Sequence, residues 1–129
     1  MDNNFLVLAK ELETIGLKWI PEVGDEVLLR GLQDNRISIL IDSNGMTLYE
    51  LRENYIWVPT IEQLMREIEH RGGVLFHAGA VINDKNIKYE VVIQTLQDII
   101  KVTNDSLREA LALSLKKLIL NKINEKKIS

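Results

Sequence analysis

A chain of 129 residues that is 46% hydrophobic and 27% charged matches one ordinary globular domain and excludes a disordered or fibrous polymer. The absence of cysteine removes disulfides, thiolate metal sites and thiol nucleophiles. Net charge is only −3, yet residues 1–107 carry 17 acidic and 10 basic side chains whereas residues 108–129 carry 2 and 6. No apolar run approaches the roughly 20 residues that cross a bilayer, and Met1-Asp2-Asn3-Asn4 lacks the basic and apolar regions of a secretory leader. The expectation is a cytoplasmic protein with no membrane partner.

The first segment predicts an amphipathic helix over 2–15. Asp2 is its candidate cap, Phe5, Leu8, Ala9, Leu12 and Ile15 recur at helical spacing, and Gly16 is placed to stop it. Leu17 to Val23 leads through Gly24-Asp25 into a short strand around Glu26 to Arg30, followed by a polar link from Gly31 to Arg36. Ile37, Ile39 and Ile41 then alternate with Ser38, Leu40 and Asp42, which is the period of a strand. Asn44-Gly45 suits a tight turn, so Met46 to Leu51 is expected to return as the partner strand of a hairpin.

One phrase occurs twice: Trp19-Ile20-Pro21-Glu22-Val23 and Trp57-Val58-Pro59-Thr60-Ile61. Each copy sets an aromatic anchor and a helix-incompatible proline at a junction between elements. The first leads to a strand and the second to a helix, so they do not mark a true repeat. In that helix Thr60 and Gln63 have capping-box spacing, Ile61, Leu64, Met65 and Ile68 form one narrow stripe, and Gly72-Gly73 ends the run.

Val74 to Ile82 is apolar nearly throughout and predicts a central strand covered on both sides. Asn83-Asp84-Lys85-Asn86 turns the chain, and Ile87, Tyr89, Val91 and Ile93 alternate with polar residues as on a half-wet strand. Residues 96–102 suit strand, loop or a helical turn equally. A last helix begins near Thr103-Asn104-Asp105-Ser106 and runs to about Lys122, with a stripe of Leu107, Leu111, Leu115, Leu118 and Ile119. Leu113 and Leu120 lie off that stripe, beside Lys116 and Lys117, so the helix either sits deeper in a core or meets another chain.

The expected fold is therefore α+β, with an antiparallel or mixed sheet of about five strands and three helices packed on it, in the order α-β-β-β-α-β-β-α. The whole of 1–129 is expected as one domain: a helix with three strands over 1–54, a helix-hairpin-helix part over 55–122, and a frayed basic tail over 123–129.

Catalytic patterns are missing. His70 and His77 are separated by a Gly-Gly break and do not have metal-ligand spacing. Ser38, Ser43, Ser106 and Ser114 lack a Gly-x-Ser-x-Gly frame, and Gly72-Gly73 closes a helix instead of opening one over a phosphate. No catalytic, cofactor-binding or metal residue is assigned, no cofactor is expected, and the chain is expected not to be an enzyme. Trp19 and Trp57 either fill the edge of the core or anchor a partner. The basic C-terminal segment suits a solvated helix end, an acidic partner, a second copy, or sequence-blind contact with nucleic acid.

Three stretches carry a family likeness: Trp57-Val58-Pro59-Thr60-Ile61-Glu62-Gln63-Leu64, Tyr89-Glu90-Val91-Val92-Ile93 and Ser106-Leu107-Arg108-Glu109-Ala110-Leu111-Ala112-Leu113. Together they resemble small uncharacterised phage and prophage proteins of Gram-positive bacteria, similar to the group described as phage ABA-sandwich domains. The resemblance spans about residues 55–122 and implies a small sheet layered with helices and a phage or mobile-element origin; no activity comes with it. Pro21-Glu22-Val23-Gly24-Asp25-Glu26-Val27 lies outside it. The functional expectation is a non-enzymatic accessory protein acting by protein–protein contact or self-association. Its candidate interface residues are Trp19, Trp57, Leu113, Lys116, Lys117 and Leu120. The alternative is a weak nucleic-acid-associated protein using the Lys116 to Lys127 segment.

Overall fold

In the computed structural model, which describes residues 3–31 and 36–128, the chain divides into two units, Met1–Thr60 and Ile61–Ser129. The expected cap Asp2 and the middle of the 31–36 link lie outside the described residues.

In the first unit, α1 (Asn3–Thr14) buries Phe5, Leu6, Leu8, Ala9 and Leu12 while Val7, Lys10 and Glu13 stay exposed. It stops where Gly16 takes φ +114°, a conformation that costs glycine little, and where the Leu17 N–H donates to the Leu12 carbonyl at 2.9 Å. A three-stranded antiparallel sheet follows, with β1 (Glu26–Leu29) at its centre between β2 (Ile37–Ile39) and β3 (Tyr55–Trp57). Val27 stands opposite Trp57, and Leu28 opposite both Ile37 and Ile56. Two further bonds prolong the β1–β2 pairing, Leu40 N–H to the Asp25 carbonyl at 2.9 Å and Gly24 N–H to the Leu40 carbonyl at 2.7 Å. α1 lies against β3.

The expected hairpin is not formed. Asn44 and Gly45 do turn the chain with φ of +50° and +74°, but Met46 to Leu51 does not return as a strand. Leu48–Asn54 is a helix, α2, and the partner of Ile37–Ile39 is β1. The reason is a capping box that outweighs strand propensity: the Glu50 N–H donates to Thr47 Oγ1 at 3.2 Å, and the Thr47 N–H donates to Glu50 Oε1 at 3.3 Å.

In the second unit, α3 (Ile61–His70) begins immediately after Thr60 and buries Leu64 and Ile68. It is followed by an antiparallel sheet ordered β4-β5-β6, made of Val74–Asn83, Asn86–Gln94 and Ile99–Asn104. Asp84 and Lys85, both at positive φ, form the tight turn between β4 and β5. The ambiguous 96–102 stretch thus supplies most of a strand. α4 (Leu107–Ile128) lies across all three strands, and α3 packs on α4 and β4. Their core is Val91, Ile93, Ile100 and Val102 from the sheet with Leu111, Leu115 and Leu118 from α4. Ser106 opens α4 by accepting the Glu109 N–H at 3.3 Å.

The α+β class holds. Among the described residues there are four helices and six strands in two three-stranded antiparallel sheets, instead of three helices on one sheet of about five. Two further expectations change. β4 is an edge strand and not a covered central one, because an apolar run shows only that side chains are greasy, not that layers exist on both sides of them. Residues 123–128 continue α4 and are not a frayed tail.

Candidate functional site

Two surfaces stand out, one in each unit. The first is a cleft of about 380 Å³ lined by Leu17, Trp19, Tyr55 and Trp57, with Glu13, Lys18, Arg30 and Arg52 among its other residues. Trp19 comes from the connection after α1 and Trp57 from β3, and both are buried, at 5% and 7% exposure. Trp19 is held at two points. Its indole N–H donates to Asp25 Oδ2 at 2.8 Å, and its carbonyl accepts from Arg52 Nε at 2.7 Å. Asp25 is itself buried and also accepts the Glu22 N–H at 2.9 Å, so one carboxylate ties the tryptophan to its loop. Arg30 forms an ion pair with Glu13 at 2.7 Å and donates to the Arg52 carbonyl at 2.9 Å. The terminal nitrogens of Arg52 and the ammonium of Lys18 have no partner among the described residues.

The second surface belongs to β4 and its neighbours. Val74, Phe76, Leu96 and Ile99 are 62%, 74%, 101% and 65% exposed. Val74 and Ile99 pair on either side of Gln94, and Phe76 is the unmatched residue of a bulge between Leu75 and His77. The bulge adds a residue to β4 without adding a partner opposite it, which leaves Phe76 turned out of the ladder. His77 Nε2 is buried and has no hydrogen-bond partner among the described residues.

No family model matches this chain, and no curated protein or solved structure matches it.

Of the candidate interface residues, Trp19 and Trp57 come together in the cleft of the first unit. Leu113, Lys116 and Leu120 are half-buried on α4, and Lys117 is exposed there. No group of three or more His, Asp or Glu side chains converges to hold a metal ion among the described residues, and no helix is long and apolar enough to cross a membrane. Asp25, Arg30 and Arg52 were not singled out from sequence. Asp25 enters the sequence reading only through the Gly24-Asp25 turn, and Arg52 reaches the cleft from a helix that the sequence pattern presents as a strand.

Proposed function

We propose that this chain is a non-enzymatic accessory protein that works by protein–protein contact, with a second copy of itself as the partner at β4. The observation that carries this is the character of that edge. β4 is paired on one side only and is the longest strand, and from Val74 to Asn83 it contains no Asp, Glu, Lys, Arg or Pro. Natural sheet edges are ordinarily guarded by such residues or by bulges; the bulge at Phe76 lies near one end, and the remainder from Ala78 to Asn83 is a regular edge open as a template for pairing. β6, the opposite edge, carries Lys101, which pairs with Glu90 at 3.4 Å. An uncharged strand complements another uncharged strand. An antiparallel pairing centred on Gly79 sets Phe76 against Ile82 of the second copy, Ala78 against its Ala80 and His77 against its Val81, and it brings no two charged side chains together. A phage or prophage origin is supported by the resemblance over residues 55–122.

Light scattering behind size exclusion tests the self-contact. A dimer is expected at high-micromolar concentration, and Phe76→Lys should return it to monomer with an unchanged circular dichroism spectrum, because Phe76 is 74% exposed and supports no core. A strict monomer in the unsubstituted chain, or a Phe76→Lys dimer as stable as the original, would overturn it.

A further inference from the structure

We propose that the cleft of the Met1–Thr60 unit is a binding site for a small monocarboxylate with a flat apolar body about the size of one ring. The volume of about 380 Å³ lies at the lower end of sites for small molecules, and the wall sets Leu17, Trp19, Tyr55 and Trp57 beside four charged side chains, an apolar face with polar groups to orient a ligand. Trp19 is already fixed at its indole and at its carbonyl, so this wall needs no ordering when a ligand arrives.

The charges decide the ligand's sign. Three cations and one carboxylate line the cleft. Glu13 and Arg30 neutralise each other at 2.7 Å, which leaves Arg52 and Lys18. The Nε of Arg52 is occupied by the Trp19 carbonyl, while its two terminal nitrogens are uncommitted, and Lys18 is exposed and unpaired among the described residues. A guanidinium end presents two N–H groups at the spacing of a carboxylate's oxygens, which suits a bidentate contact with an acid. Inorganic phosphate can meet the same cations but has no apolar body to cover the aromatic wall of Trp19, Tyr55 and Trp57, so it forgoes that part of the contact. The site lies in a different unit from the β4 edge, so the two proposals can fail separately.

The chain's two tryptophans both line the cleft, so their two indole N–H resonances report on it. Nitrogen-15 spectra of the full chain, titrated with N-acetylphenylalanine, with its neutral amide, and with inorganic phosphate, test the proposal. The acid is expected to shift at least one indole signal saturably, with the amide and phosphate each weaker by about tenfold, the ratio expected of one charge-assisted contact. Lys18→Gln, at an exposed position, should weaken the acid several-fold, and Arg52→Gln should erase its advantage over the amide. Because Arg52 also holds Trp19, the Lys18 variant keeps the test valid should Arg52→Gln unfold. No shift with the acid, equal shifts with acid and amide, phosphate binding as tightly as the acid, or a Lys18 variant that binds unchanged would each overturn it.

Discussion

Asp25 illustrates how much a single buried acceptor organises. With Trp19 and Glu22 both donating to its Oδ2, it closes the loop that the proline at position 21 opens. Composition suggests a turn at Gly24-Asp25, which is present, but it does not reveal that the carboxylate points inward, since turn chemistry and core satisfaction use the same residue type. The tryptophan's partner is likewise a carboxylate where a backbone carbonyl is the more usual choice. Tyr49, exposed on α2, has its phenol pKa raised above 10.0, first by a hydrogen bond to Glu53 one turn on and then by that residue's charge. A phenol that holds its proton more tightly when folded adds stability that is fully present below the unfolded value and is lost as pH rises through the folded one. Glu53→Gln is therefore expected to lower the Tyr49 titration point toward that of an ordinary tyrosine, and ultraviolet difference titration checks it; an unchanged midpoint would contradict the assignment.

At the scale of elements, the segments with long apolar periodicity are the legible ones. α1 and α3 lie close to where their stripes place them, and β5 follows its alternation. Met46 to Leu51 misleads because Asn-Gly is a hairpin signal whatever follows it, while the competing capping box is only two residues, Thr47 and Glu50, which carry no periodicity. β4 misleads for a different reason: hydrophobicity does not encode which strand lies at an edge. The α3–β4 junction is strictly specified. Gly72 adopts φ +81°, and a Cβ placed on Gly73 would lie 2.9 Å from side-chain carbons of both Ile68 and Ile93 and 3.1 Å from the Ile68 carbonyl. Ile68 and Ile93 are fully buried and cannot easily give way. Gly73→Ala should therefore destabilise the chain by about 1–3 kcal/mol, the range of an overpacked core. Chemical denaturation measures this; a loss under about half a kcal/mol would show that Ile68 and Ile93 shift aside at little cost. Lys122 of α4 adds a further tie by donating to the Arg71 carbonyl at the end of α3, where a cation suits the helix terminus.

For the whole molecule, the charge split of the sequence meets a structure in which the basic residues from Arg108 onward lie on one long helix and not on a loose tail. The cleft is not legible from sequence because it needs α1, the connection after it, Arg30 just past β1, α2 and β3 at once, and the sequence pattern presents α2 as a strand. Each unit has its own sheet and its own buried aliphatic residues. A fragment starting at Thr60 and ending at Ser129 is thus expected to fold alone, with a cooperative thermal transition and dispersed amide resonances. A fragment with collapsed dispersion would show that its core is incomplete.

The β4–β5 ladder runs on after β6 has ended. β6 finishes at the pair Tyr89 and Asn104, yet three more pairs follow outward: Val81 with Lys88, Ile82 with Ile87, and Asn83 with Asn86. A ribbon of two strands coils more steeply than a wider sheet. The exposed Ile82 and Ile87 thus project past β6 on the two-stranded end of the ladder, a greasy fingertip carried beyond its knuckle.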